Sequence, residues 1–244
     1  MNYHWNWGIF FQQVSSSDDT YLDWLISGLG WTVAVAMTAW IMAFILGSIM
    51  GTLRTVRSKP LVLIGTVWVE FFRNVPILVQ LFLWFFVVPE LLPRDLSLWV
   101  KQDMPAKEFI TAVLALGLFT SARVAEQVRA GIQSLSRGQR YAGLALGFTE
   151  TQTYRYVILP MAFRFIIPPL TSEFMNAFKN SAVAFAIGVM DLTFMSRQMV
   201  EESGQVIESL LAATVLYVIC AFAANRVMSV IEKRSHVPGF ILAK

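Results

Sequence analysis

The chain has 244 residues, 56% of them hydrophobic and only 14% charged, with a mean hydropathy of +0.59. That balance is foreign to a water-soluble domain of this size and marks an integral membrane protein. The formal net charge of +3 comes from Lys and Arg beside the apolar runs, so it reads as membrane topology and excludes a nucleic-acid footprint. Charges cluster between the runs instead of alternating through them, which predicts an all-α, polytopic protein and excludes an outer-membrane barrel. The single cysteine, Cys220, sits inside an apolar run, so no disulfide framework exists.

Residues 1–23 are predicted to form an extramembrane N-terminal segment. The stretch MNYHWNWGIFFQQ lacks the basic start and continuous apolar core of a cleavable signal, and Tyr3, Trp5 and Trp7 read as an interfacial belt. The SSSDD run at 15–19 reads equally well as an unstructured stretch. A single transmembrane domain is expected over 24–232, with its first span at 24–53. Gly47 and Gly51 there have a small-xxx-small spacing that admits another helix closely. A basic turn with Arg54, Arg57 and Lys59 follows. The next apolar region is interrupted by Glu70, Arg73, Asn74 and Pro76, which predicts a packed or interfacial helix to about Phe72 and a second span at 74–89. Glu70 and Arg73, one turn apart, are expected to pair or to sit at the interface.

Residues 89–107 form a polar loop or surface helix, and a third span is expected at 109–128, carrying Arg123 and Glu126 near its end. The interval that follows, with its core at 134–160, is the longest polar stretch between spans. Tyr141, Leu144, Ala145 and Phe148 fall at helical spacing, giving an apolar stripe while Arg137, Gln139 and Arg140 stay wet. Gly147 is expected to end that helix in the left-handed conformation, Thr149 to cap a second short helix with Gln152 three residues on, and Pro160 to stop it. The fourth span is 165–187 and the fifth 206–230, separated by a polar connection at 190–205 and followed by a tail at 233–244.

Twelve of the 19 Lys and Arg fall in the segments 54–59, 129–164 and 226–244, against four on the opposite side. The positive-inside rule therefore places the loop 134–160 and the C-terminus in the cytoplasm and the N-terminus outside.

No catalytic or metal-ligating set is expected. The two histidines, His4 and His236, lie at opposite ends of the chain, and no glycine precedes a lysine, so no phosphate-binding GxxxxGK[ST] loop exists. If ATP drives this protein, another chain hydrolyses it. The fourth span is the chemically unusual one. Glu173, Asn176 and Asn180 fall on one helical face, with Lys179 and Ser181 beside them. A charge at mid-membrane costs about 3 kcal/mol on insertion scales, so these residues turn to a protein interior or a water-filled path. Two readings are open: a substrate-lining helix, or an internal bond of Glu173 with Lys179 or Arg123 that holds the bundle. Arg123 likewise either meets an anionic substrate or extends its charge to the interface.

The hairpin resembles a known signature. The membrane subunits of binding-protein-dependent ABC importers carry a cytoplasmic motif of E-A-A, three residues, G, nine residues and I-x-L-P. Here Ala142, Gly147, Val157, Leu159 and Pro160 stand at that spacing, within GQRYAGLALG at 138–147. Tyr141 replaces the motif's glutamate and Gly143 an alanine. Val69 to Pro76, VEFFRNVP, is similar to the family's second-span signature, and Lys179-Asn180-Ser181 to its fourth-span K-N-S. The segments WNWGIF at 5–10 and PELLP at 89–93 resemble the glutamate/aspartate type within the polar amino-acid permeases.

What this resemblance implies is the five-span type I (MetI-like) importer fold, with Arg140, Tyr141, Ala142, Gly143, Leu144, Ala145, Leu146, Gly147 and Phe148 as a coupling helix docking on an ATPase. It implies import of a polar amino acid, glutamate or aspartate, across a bacterial inner membrane by alternating access, with Arg123, Glu173, Asn176, Lys179, Asn180 and Ser181 as pathway candidates. No cofactor is expected on this chain; ATP and Mg belong to the partner ATPase. The other expected partners are a second permease subunit, identical or paralogous, a periplasmic binding protein and the bilayer. An ion-coupled secondary transporter is the alternative, but the odd span number without an inverted repeat speaks against it.

Overall fold

A computed structural model describes residues 3–15 and 18–235; Ser16, Ser17 and the tail 236–244 with His236 lie outside the described residues. Among the described residues the regular elements are helices, and one isolated bridge pairs Gln13 with Thr20. After a short 3-10 turn at Trp7–Phe11 come α1 (Tyr21–Leu53), α2 (Lys59–Asn74), α3 (Ile77–Leu91), α4 (Arg94–Leu98), α5 (Lys107–Ser134), α6 (Arg137–Ala145), α7 (Glu150–Ile187), α8 (Leu192–Ser203) and α9 (Val206–Ser235).

Four of these, α1, α5, α7 and α9, are long and apolar enough to cross a membrane. The pair α2 and α3 passes only when taken together, as a broken span or a re-entrant loop, so the count is four to five. The break has a local cause: Val75 is extended at φ −90°, ψ 127° because the ring of Pro76 disfavours the α region for the residue before it.

Prolines leave a second mark on these helices. Three π-helical turns, Leu83–Val87, Trp99–Asp103 and Tyr154–Ile158, each end two residues before a proline: Pro89, Pro105 and Pro160. In each, the residue just before the proline, Val88, Met104 or Leu159, donates its N–H to the carbonyl five residues back. A proline inside an α-helix clashes with the carbonyl four residues earlier, and a widened turn relieves that contact. This corrects the expectation at Pro160. The helix that starts at Glu150 is not stopped there but runs on through the π turn to Ile187, its last turn 3-10 in character.

Contacts divide the chain into two units. The first comprises Met1–Trp40, Pro76–Gly117 and Asn176–Ala223. One of its cores joins Val35 and Ala39 of α1 to Leu81, Ala112, Leu116, Ala184 and Ile187; a second joins Ile9, Val14, Tyr21, Leu25, Leu192, Met199 and Ala213. The N-terminal segment is tied down here. The Tyr3 hydroxyl bonds Glu208, the Asn6 N–H donates to the same carboxylate at 2.8 Å, and the Ser15 N–H donates to Glu202 at 2.9 Å. Asp191, 1% exposed and lying between span helices, caps α8 by accepting from the Phe194 N–H at 2.8 Å. Burial pushes its carboxyl up to about 7.

The second unit comprises Ile41–Val75, Leu118–Met175 and Ala224–Lys244. Here the small residues of α1 do what their spacing predicts. A Cβ added at Gly47 would meet Val124 Cβ at 2.6 Å, and one at Gly51 would meet the Ala125 carbonyl at 2.5 Å. Only glycine lets the α1 and α5 backbones approach this closely, and such packing replaces the hydrophobic drive that lipid surroundings remove. Trp68 of α2 joins the same cluster by donating to Ser121 Oγ at 3.0 Å.

Candidate functional site: the polar hairpin and the buried charges

The hairpin of α6 and the start of α7 belongs to the second unit. The N–H groups of Phe148 and Gly147 return to the carbonyls of Gly143 and Leu144, at 3.2 and 3.0 Å, which is the bond pair of a Schellman ending. It requires a left-handed residue, and Gly147 supplies it at φ +86°. Thr149 then caps α7 as the spacing predicts: its hydroxyl accepts from the Gln152 N–H at 3.2 Å while the Gln152 side chain accepts from the Thr149 N–H at 2.8 Å.

Two further bonds hold the hairpin closed. Arg140 does not stay wet; both its Nε and Nη2 donate to Glu150 Oε2, at 3.1 and 2.8 Å, so the pair bridges α6 to α7. Arg57 reaches the other oxygen of Glu150 at 3.1 Å, and the Tyr154 hydroxyl donates to the Thr55 carbonyl at 2.7 Å. The turn after α1 thus carries the hairpin.

Gly143, where the family motif has alanine, is buried: a Cβ there would sit 2.8 Å from Thr153 Cγ2. The glycine therefore answers the bulk of Thr153 opposite and lets the two helices close up. Tyr141, at the motif's glutamate position, is 60% exposed. Ala142 and Ala145 are exposed and Leu144 is half-buried, so the apolar face differs from the one periodicity predicts. Its most exposed member is Leu146, at 77%, which lies just past the helix where no 3.6-residue period applies. Phe148 and Tyr156 complete it, their rings 6.2 Å apart. Tyr156 went unnoticed in the sequence because only the continuation of α7 through its π turn brings it beside Phe148. Among the described residues nothing buries the side chains of Tyr141, Leu146 and Tyr156.

The charged residues near the spans form two groups in this unit. Glu126 accepts from Arg54 at 2.7 Å and from Arg129 at 2.9 Å, with Arg73 at 3.6 Å. Arg54 is only 10% exposed. The expected Glu70–Arg73 pair is not the one that forms; Glu70 accepts instead from the Asn74 amide at 2.9 Å. A largely buried carboxylate draws guanidinium groups more strongly than one facing solvent, because fewer waters compete for it. In the second group Arg123 approaches Glu173 at 3.8 Å and lies over the Phe119 ring, 5.0 Å from its centroid. The Glu173 side chain is 11% exposed, and its buried Oε2 has no hydrogen-bond donor among the described residues. Of the two partners left open for Glu173, Arg123 is the one the structure brings near.

The other pathway candidates belong to the first unit. Asn176 and Asn180 are half-buried, Lys179 is exposed and without an ion pair among the described residues, and Ser181 is buried, donating to the Phe178 carbonyl at 2.7 Å. Asn180 and Ser181 line a cavity of about 10 Å³ with Val35, Ile77 and Leu81, room for about one water and not for an amino acid.

An all-helical chain with broken and continuous spans and an exposed helix-glycine-helix hairpin between two of them is the build of a membrane permease subunit. The chain belongs to the family described as binding-protein-dependent transport system inner membrane component, which matches residues 43–237. It is therefore an inner-membrane permease component with membrane-crossing helices. It is 48% identical to the glutamate/aspartate import permease protein GltJ of Escherichia coli K12 over 241 residues, 98% of each chain. It is 32% identical to the glutamate/aspartate import permease protein GltK of E. coli O6:H1, over 88% of this chain and 94% of that one. A crystal structure of an amino acid ABC transporter with histidines matches with a TM-score of 0.75 at 30% identity, over 88% of this chain and 95% of the other.

Proposed function

We propose that this chain is one membrane subunit of an ATP-driven, binding-protein-dependent importer of glutamate or aspartate, and that residues 140–148 dock on its ATPase. The observation that carries the reading is the hairpin. It presents Tyr141, Leu146 and Phe148 outward on a frame fixed by a Schellman ending, a capping box and the Arg140–Glu150 pair. A rigid apolar knob on a polar loop fits a protein cleft, and rigidity is what lets a nucleotide-driven movement be passed on without loss.

In this reading the hairpin and C-terminus face the cytoplasm and the N-terminus the outside. ATP and Mg bind the ATPase, which is a separate chain. GltJ and GltK bear the same import name and both resemble this chain, which supports a paralogue as the second permease subunit, with a periplasmic binding protein delivering the cargo. The acidic substrate rests on the 48% identity to GltJ along nearly the whole chain. Arg123, whose side chain is 42% exposed, is the group that would meet a substrate carboxylate, with Glu173 holding it in place. Asn176, Lys179, Asn180 and Ser181 remain pathway candidates on sequence grounds.

The test is uptake of labelled glutamate and aspartate by vesicles holding the assembled complex and its binding protein. ATP-dependent uptake is expected. Uptake that persists without the ATPase and follows an ion gradient would refute the proposal and favour a secondary transporter.

A further inference from the structure

We propose that a basic cavity of the second unit, beside the hairpin, binds the phosphate of an anionic phospholipid headgroup. The cavity measures about 440 Å³, and its polar lining includes Arg54, Gln133, Ser136, Arg137 and Arg140, with no carboxylate among the lining residues. Ile132, Leu135 and Ile158 form its apolar side.

The charge balance around it is uneven. Glu126 is shared by Arg54, Arg73 and Arg129, and Glu150 by Arg57 and Arg140. Arg137 has no ion pair among the described residues, so the three lining arginines share only Glu126 and Glu150, carboxylates that also meet Arg57, Arg73 and Arg129. Such an excess, part of it around the largely buried Arg54, favours an anion with several acceptor oxygens.

The position selects the source of that anion. Arg54 and Thr55 directly follow α1, and Leu135 and Ser136 directly follow α5, so the cavity sits at the ends of two membrane-length helices, close to where they leave the bilayer. Headgroup phosphates occupy that level, and basic pockets at helix ends there hold anionic lipids. The apolar side then meets the glycerol and the first methylenes. The positive end of the α6 dipole lies at the same place, where Ser136 makes no side-chain cap.

The test uses the purified assembly in detergent, titrated with phosphatidylglycerol, phosphatidylcholine or inorganic phosphate and read by native mass spectrometry. Phosphatidylglycerol is expected to be retained over phosphatidylcholine. Arg137→Ala should lower its retention about fivefold and Arg137→Glu further, with the ATPase still attached. Ser136→Trp, which fills the cavity and touches no ion pair, should do the same if the arginine variants assemble poorly. Equal retention of the two lipids, or unchanged phosphatidylglycerol retention in these variants, overturns the proposal. Displacement of the lipid by millimolar inorganic phosphate assigns the cavity to free phosphate and overturns the lipid source. Loss of the ATPase with lipid retained assigns it to a protein interface and overturns the proposal as well.

Discussion

Replacing Gly147 by proline tests the docking role at its narrowest point. The residue sits at φ +86°, which the proline ring, locked near −65°, cannot reach. The exchange also removes the N–H that bonds the Leu144 carbonyl and displaces Phe148, whose N–H bonds Gly143. Each such bond contributes about 1 kcal/mol net, and the forced change of backbone region costs about 1–2 kcal/mol more. Together they amount to roughly 3 kcal/mol, a factor of about 100 in the population of the closed hairpin. The spans do not depend on this turn, so helix content, membrane insertion and elution should match the parent chain. ATP hydrolysis stimulated by the loaded binding protein should fall to the unstimulated level, and uptake with it. Gly147→Ala, which keeps the N–H and bears only the left-handed penalty of about 1–2 kcal/mol, should retain part of both. ATPase binding, stimulation and uptake at parental levels in Gly147→Pro would refute the docking role and the reasoning from Gly147.

Three other perturbations address the buried charges. Arg123→Ala leaves the 11%-exposed Glu173 without its cation and should lower thermal stability by about 1–2 kcal/mol, discounted because Arg123 is partly exposed. The double variant with Glu173→Ala should recover most of that loss, and uptake that returns with it would show Arg123 to be structural instead of substrate-binding. Glu126→Ala strands Arg54, 10% exposed, among other arginines, and a loss of about 3 kcal/mol in denaturant or thermal unfolding is expected; an unchanged midpoint would contradict it. Asp191 holds its proton up to about 7 in the folded chain against 3.8 ordinarily. The folded state therefore binds the extra proton between those values, and stability should fall as pH rises through that window, by at most about 4 kcal/mol. Asp191→Asn, which keeps an α8 cap, should flatten the slope between pH 4 and 7, and a slope identical to the parent's would exclude this carboxyl as its source.

Much of the architecture was legible in the amino acids. Apolar length called for membrane helices, and the interruption at Asn74 and Pro76 marked the broken pair, because a missing N–H and a locked φ act on their neighbours whatever surrounds them. The ending at Gly147 and the cap at Thr149 were readable for the same reason, since their bonds close within a few residues. The glycines of α1 announced a close helix approach, though not that α5 would be the neighbour.

What only the tertiary structure decided concerns partners distant in sequence and helices that propagate. Pro160 looked like a stop, but a π turn absorbed it, and this carried Tyr156 beside Phe148. Glu126 gathers arginines from 72 residues away as readily as from one turn along, and Arg140 folds over to Glu150. Charge attraction in a poorly solvated interior depends on distance in space, which no spacing rule encodes. The sequence by itself determined that this chain crosses a membrane and that it carries a glycine-hinged polar hairpin. The folded chain decided which charges meet and which face of that hairpin is left bare, because both follow from packing between segments far apart in the chain.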